Sequence, residues 1–285
     1  MTDHIAPDSE ELGLPRHHRP RQQATVWQTE LPEWRSQLQT VLGSLPASHT
    51  PAVFFRADDI GAGGCAFEAM CRLFNRYSVP LALSIVPAWL SATRRDQLFR
   101  CAPKDEPLWC WHQHGWRHVN WQRVGKKSEF GEQRPFEKQW RDIWQGQQKM
   151  LRVFGSRFTP VFTPPWNRLS VATVKILQEL GFAGVSLAGP LPRGLRAPVG
   201  LSNLRVHIDL HTRKGKDATL DFQDLLESLQ AQLAKKEPCG IMIHHHRMNF
   251  FAFEFLHELI DFLKNDVGAR FLSFRDLLDK EDEED

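Results

Sequence analysis

Five short apolar runs in this chain each lead into residues that carry chemistry, and that pattern restricts the folds open to it. Ala52-Val53-Phe54-Phe55 runs into Arg56-Ala57-Asp58-Asp59, and Leu108–Trp111 runs into His112, His114, Trp116 and His118. Val161–Thr163 precedes Pro164-Pro165-Trp166-Asn167-Arg168, Leu204–His211 carries Asp209, and Cys239–Ile243 ends in His244-His245-His246. Apolar runs of this length, rich in β-branched and aromatic residues, are the mark of buried strands. Further strands are expected at Pro80–Val86, Ala183–Leu187 and Phe271–Phe274. Between them lie periodic stretches long enough for helices, at about 65–77, 136–154, 170–180, 218–235 and 250–264.

Short buried strands alternating with helices imply a mostly parallel sheet covered by helices. About seven such strands suit a distorted (β/α) barrel built as a single domain better than an open sheet. The strand ends of such a fold converge on one face, where active sites are built. The barrel is expected over residues 51–278, after a helical extension at 25–50 in which Glu30–Leu45 is amphipathic and stopped by Pro46. Residues 1–24 read as a disordered arm, with the Arg16–Arg21 cluster solvated, and 279–285 as a frayed acidic tail. A polar loop is expected at Gly125–Pro135.

A chain of 285 residues can bury a sizeable core, and 36 basic against 34 acidic residues give nucleic acid no evident claim on it. Five cysteines, an odd number without C-x-x-C spacing, read as thiols of a reducing compartment. No apolar run reaches the ~20 residues of a membrane span, and the first residues lack a hydrophobic signal core. The expectation is a soluble cytoplasmic protein without a transmembrane segment.

The densest chemistry is Trp111–Trp121, where His112, His114 and His118 lie among tryptophans. His114 and His118 are four apart, so one helical turn would point both imidazoles the same way, whereas His112 and His114 share a face in extended chain. A carboxylate from the Asp58-Asp59 pair would complete a three-ligand set with positions open for water or substrate. The adjacent carboxylates diverge in extended chain, so one suits the metal and the other remains able to take a proton. Loop histidines held by backbone carbonyls are the bland alternative. Trp111, Trp116, Trp121 and Trp166 are candidate platforms for sugar rings.

The ordered set Asp-Asp, His-x-x-x-His, Pro-Pro-aromatic and a strand ending in His resembles the polysaccharide deacetylase family of carbohydrate esterases, with its chitooligosaccharide-deacetylase homology domain. The resemblance spans roughly residues 52–275. It implies a distorted (β/α) barrel that removes N- or O-acetyl groups from a saccharide or glycolipid with a divalent metal, zinc being the first choice. By the same resemblance, Asp58 is the catalytic base and Asp59, His114 and His118 are the metal ligands. His244 is the catalytic acid, with His245 beside it as the rival, and Asp209 is the acid that would orient it. Trp166 within Pro165-Trp166-Asn167-Arg168 would offer its backbone N–H to the oxyanion, and Trp116 would bind substrate. The family carries an arginine at the position of Thr163, where it pairs with the base; Arg56 or Arg168 would have to take that place here. Its Thr-Phe before the Asp pair is Arg56-Ala57, and its following Gly is Ile60. Two other functions remain on this reading: a catalytically silent glycan-binding protein, and a non-heme iron enzyme using the same His-His-Asp set. The blandest alternative is a structural barrel without metal.

Overall fold

The computed structural model describes residues 12–46, 49–194 and 200–281. In chain order the elements are α1 (Trp34–Gly43), β1 (Ala52–Ile60), α2 (Cys65–Tyr77), β2 (Leu81–Ile85), α3 (Ala92–Cys101) and β3 (Trp109–His114). There follow α4 (Phe136–Phe154), β4 (Phe158–Thr163), α5 (Val171–Glu179), β5 (Gly184–Val185), β6 (Ser202–Asn203) and β7 (Val206–Asp209). The chain ends with α6 (Ala218–Leu233), β8 (Cys239–Ile243), α7 (Phe250–Asn265), β9 (Arg270–Phe271) and α8 (Phe274–Glu281). The class is α/β, as expected.

Contacts divide the chain into two compact units, and the chain passes between them repeatedly. One holds residues up to Phe55, Gly63–Pro80 and Ile208–Phe271; the other holds Arg56–Ala62, Leu81–His207 and the segment from Leu272.

The second unit is built on the strand order β6-β5-β4-β3-β2-β1. The pairs β2–β3, β3–β4, β4–β5 and β5–β6 are parallel, with Ser84 opposite His112 and His114 opposite Thr163. Both faces of β3 are buried, and they divide its residues by alternation. On one face Cys110 Sγ meets Thr159 Oγ1 at 3.1 Å and His112 Nε2 meets Thr163 Oγ1 at 3.0 Å. On the other, Trp111 stacks on Phe154 of α4 at 4.8 Å. There too Gln113 Nε2 donates to the carbonyls of Ile143 and Gly115. Gly146 makes this approach possible, since a Cβ there would lie 2.2 Å from Gln113 Nε2. Trp111 is fully buried and belongs to the core, so it offers no face to a sugar.

In the first unit β8 lies between β1 and β7, and β9 pairs with β1 in parallel at Ala52↔Arg270 and Val53↔Phe271. Helix α7 is buried along most of its length. Trp27 and Trp34 clamp its phenylalanines, with Trp27–Phe255 at 4.9 Å and Trp34–Phe251 at 5.3 Å. Each such aromatic contributes about 2–3 kcal/mol by leaving water. Arg35 bridges Glu254 and Glu258 at 3.2 and 3.3 Å.

Several boundaries differ from the sequence expectation. The expected helix Glu30–Leu45 is shorter, because Glu33 sits in the left-handed region at φ 55 just before Trp34. Of the expected arm, residues 1–11 lie outside the described residues. In 12–24, Leu12, Leu14 and Ala24 are buried and Arg16 lies 5.0 Å from the Phe250 ring. Two leucines suffice to pin a polar segment. The expected strand Phe271–Phe274 stops at Phe271 and a helix starts at Phe274, where Ser273 and Asp276 cap each other reciprocally. Helix α3, unforeseen, begins at Ser91, whose Oγ accepts from the Arg94 N–H. It buries only Leu98, so no apolar period announces it. No helix among the described residues is long and apolar enough to cross a membrane.

Candidate active site

The second unit gathers the residues expected to hold metal. Asp59, His114 and His118 each offer one ligand atom, and these atoms lie within 4.8 Å of one another. Asp59 Oδ1 is 3.2 Å from His114 Nε2 and 3.1 Å from His118 Nε2. His114 closes β3, but His118 does not follow it on a helical turn. The chain reverses instead, with Gly115 at φ 55 and His118 at φ 59. Gly115 is required twice over, since a Cβ there would lie 2.4 Å from Glu129 Oε2 and 2.6 Å from Pro165 Cδ. His112, the third histidine of the stretch, is fully buried on Thr163 Oγ1 and is not a ligand. Burial, and secondarily the Arg56 charge, push its pKa down to about 3.

The three ligand groups suit a divalent cation. His114 Nδ1 bonds the Thr163 carbonyl at 2.9 Å, so Nδ1 carries a proton and Nε2 is the atom turned to Asp59. A carbonyl behind a metal histidine fixes its tautomer and ring orientation. Burial pushes the His114 pKa down, but the Asp59 hydrogen bond and the charges of Asp58 and Asp59 prevail and raise it. Burial raises Asp59, yet the bonds and charges of His114 and His118 outweigh it and hold the carboxyl well below its usual range. Protons shared within such a cluster are what a metal displaces on binding.

The loop that carries His118 is held by a residue the sequence reading missed. Glu129, fully buried, accepts the backbone N–H groups of Trp116 (3.3 Å), Arg117 (2.8 Å) and His118 (3.0 Å). Burial raises its carboxyl pKa and these three donors oppose the rise. On the other side, Ala88 N–H donates to the Trp116 carbonyl and Trp89 Nε1 to that of Arg117. Trp89 and Trp166 wall the His118 ring at 5.8 and 4.4 Å.

Asp58 stands apart from the ligands. It is 3% exposed, and its Oδ2 accepts from Arg56 Nη2 at 2.9 Å. Arg56 is fully buried; Nη2 also reaches Asn167 Oδ1 at 2.8 Å, and Nη1 reaches the Ser186 carbonyl and hydroxyl at 2.9 and 2.8 Å. Of the two arginines that the sequence offers to Asp58, Arg56 is the one that pairs with it. Arg168 does not, for its guanidinium bonds the Lys127 carbonyl. Pro165-Trp166-Asn167 forms a tight turn with Trp166 at φ 59 and Asn167 at φ 55.

The other expected residues belong to the first unit. Asp209 Oδ1 accepts the N–H groups of His211 and Thr212, closing the turn after β7. His211, fully buried, accepts the His244 N–H on Nδ1 at 3.1 Å. Asp209 is therefore linked to His244 through His211. Burial, then the charges of His244 and its neighbours, hold the His211 pKa well below its ordinary value. His244 is extended (φ −133), continuing β8, and His245 turns its ring edge-on to Phe67 at 5.6 Å.

No family model and no curated protein matches the sequence. Solved structures do match. A candidate polysaccharide deacetylase from Mycobacterium smegmatis is 15% identical with a TM-score of 0.59, over 85% of this chain and 93% of that one. The Xyl-CE4 domain of a multidomain xylanase from the hindgut metagenome of Trinervitermes trinervoides is 12% identical, TM-score 0.50, over 82% and 92%. The Bc1960 peptidoglycan N-acetylglucosamine deacetylase, in complex with an N-hydroxybenzamide, is 13% identical, TM-score 0.50, over 80% and 88%. The chain has the polysaccharide deacetylase fold.

Proposed function

We infer that this chain is a metal-dependent hydrolase that removes acetyl groups, on nitrogen or oxygen, from a saccharide or glycolipid. The observation that carries the reading is the division of labour between adjacent aspartates: Asp59 with His114 and His118, and Asp58 on the buried Arg56. A bound divalent ion, zinc first, would supply Lewis acidity toward the acetyl carbonyl and acidify water. Asp59, His114 and His118 would hold it. Asp58 takes the proton of the attacking water, with Arg56 holding its carboxylate in place. The Trp166 N–H, set by the turn between Pro165 and Asn167, receives the developing oxyanion. His244 protonates the departing amine or alkoxide, and the Asp209–His211 pair fixes its backbone. The ring of His245 is already occupied by Phe67, which favours His244 as the acid. Trp116 and Arg168 border the substrate. The arginine that pairs the base is present as Arg56, which tells against a silent binding protein. The odd number of cysteines without C-x-x-C spacing supports a cytoplasmic, reducing setting, with a saccharide or glycolipid precursor as substrate.

The test is acetate release from an acetylated chitooligosaccharide by the zinc-loaded chain and by Asp58→Asn. The variant should keep its metal and lose ~100-fold or more in turnover. Loss of metal in Asp58→Asn would mean the two aspartates are exchanged. Glycan binding without acetate release in the wild type would leave a binding protein.

A further inference from the structure

The second unit also holds a cleft of about 410 Å³, with Leu169, Leu187, Pro190 and Pro192 on its apolar side and two cations against one acid on its polar side. Gln122, Lys126, Asn167 and Arg168 line it, with Glu132 as the acid at its edge. The cleft is joined to the base, because Asn167 Oδ1 accepts from the same Arg56 nitrogen that holds Asp58. What it presents is donors. Gln122 Nε2 has no acceptor but is itself buried beside Gly131, so the open donors are those of Arg168 and Lys126. Arg168, which lines the cleft, uses Nη1 on the Lys127 carbonyl, and that bond anchors its planar fork. Lys126 adds an exposed ammonium. A donor-rich wall with two cations against one acid fits a ligand that brings acceptor oxygens and negative charge. A sugar ring has its own support close by. Trp121, next to Gln122, is 46% exposed while Arg134 braces its ring from 5.1 Å.

We propose that this cleft is a subsite for an anionic sugar unit of the substrate, a carboxylate- or phosphate-bearing neighbour of the acetylated residue. The part of the claim that concerns an acetylated neighbour rests on the deacetylase reading.

Calorimetric titration of the full metal-loaded chain separates the two. The probes are a hyaluronan tetrasaccharide (carboxylate), UDP-N-acetylglucosamine (phosphate) and chitotetraose (neutral). At low salt one of the charged probes should bind roughly 10-fold more tightly than chitotetraose. That advantage should shrink roughly 3- to 10-fold in the Lys126→Gln/Arg168→Gln double variant, and likewise at high salt. Preference for hyaluronan names a uronate unit, and preference for the nucleotide sugar names a phosphate. Equal binding of all three probes, or a charged advantage untouched by the double variant, overturns the proposal. Acetate assayed in the same samples reports on the other reading. Variant-sensitive binding of a charged probe, with no acetate from any of the three, keeps the cleft and removes the deacetylase. Acetate from chitotetraose without any charge preference does the reverse.

Discussion

Replacing Arg56 by Met tests the buried pair from which the assignment of the base follows. The guanidinium is fully buried and bonds Asp58, Asn167 and, twice, Ser186. Methionine fills much of the stem's volume but removes the Arg56 charge from Asp58, which is only 3% exposed. Breaking a buried pair from one side costs about 3–5 kcal/mol, because the remaining charge stays desolvated. For a chain of this size each kcal/mol lowers Tm by about 2–4 °C, so the single variant should melt roughly 6–20 °C early. The double variant Arg56→Met/Asp58→Asn removes the orphaned charge as well. It should recover most of that loss, to within about 1–2 kcal/mol of wild type, the remainder being the unmade polar bonds. Both variants should be inactive, so stability and activity part company in the double one. Calorimetric melting with paired acetate assays reads both. A single variant as stable as wild type, or a double variant no more stable than the single, would refute the argument.

Three further outcomes follow from the same geometry. Elemental analysis should find about one divalent ion per chain, lost in His114→Ala and in Asp59→Ala; unchanged metal in both would remove the site. Glu129→Gln withdraws the carboxylate from three N–H groups without touching a ligand, and should weaken metal binding ~10- to 100-fold in a chelator competition. Unchanged affinity would show that the His118 loop holds itself. His211 concerns pH: its folded pKa lies well below the ordinary 6.5, so below about pH 6.5 the unfolded chain binds the proton that the folded chain refuses. Stability therefore falls as pH drops from about 6.5, by up to ~1.4 kcal/mol per unit for this group, and is unaffected above. His211→Gln should flatten the decline of the urea midpoint between pH 7.5 and 5, and an unaltered decline would refute the assignment.

The parts of this site that were legible in the sequence are those written in strand alternation. Arg56 and Asp58 are two apart on β1 and so share a face, but the sequence left Arg56 and Arg168 both open as the partner of Asp58, and the Arg56 bond decides between them. His114 and His118 were legible as a pair, though not how they meet. The sequence shows a helical spacing, whereas the chain uses two left-handed residues to achieve the same convergence. Glu129 was not legible, because its partners are backbone N–H groups eleven to thirteen residues away and no side-chain pattern marks them. The last helix was written in Ser273-Phe274-Arg275-Asp276, a reciprocal cap, but two flanking phenylalanines resemble a strand more strongly. Helix α3 shows the opposite failure. Its charged sequence has a cap and almost nothing to bury, so hydrophobic period carries no trace of it.

Strain around the site has a consistent placement. Of six non-glycine residues with positive φ among the described residues, four are Asp59, His118, Trp166 and Asn167. A left-handed conformation at such residues costs of the order of 1–3 kcal/mol each and persists only where the surroundings over-determine it. The surroundings here do so with fixed bonds. Glu129 ties down the N–H groups of residues 116–118, Arg56 bonds the side chain of Asn167, and the Thr163 carbonyl orients His114. None of these three groups belongs to the Asp59–His114–His118 cluster, yet each fixes the position of a member of it or of its neighbour. The ligand atoms are thus set within 4.8 Å of one another by hydrogen bonds the chain makes with itself. A site prepared in this way loses affinity when its supports are cut, even though every ligand remains. That is why the Glu129 variant discriminates better than any ligand variant: alanine at His114 removes a donor and would weaken metal binding in any arrangement. Glutamine at Glu129 can weaken it only if the geometry described here is the geometry that binds.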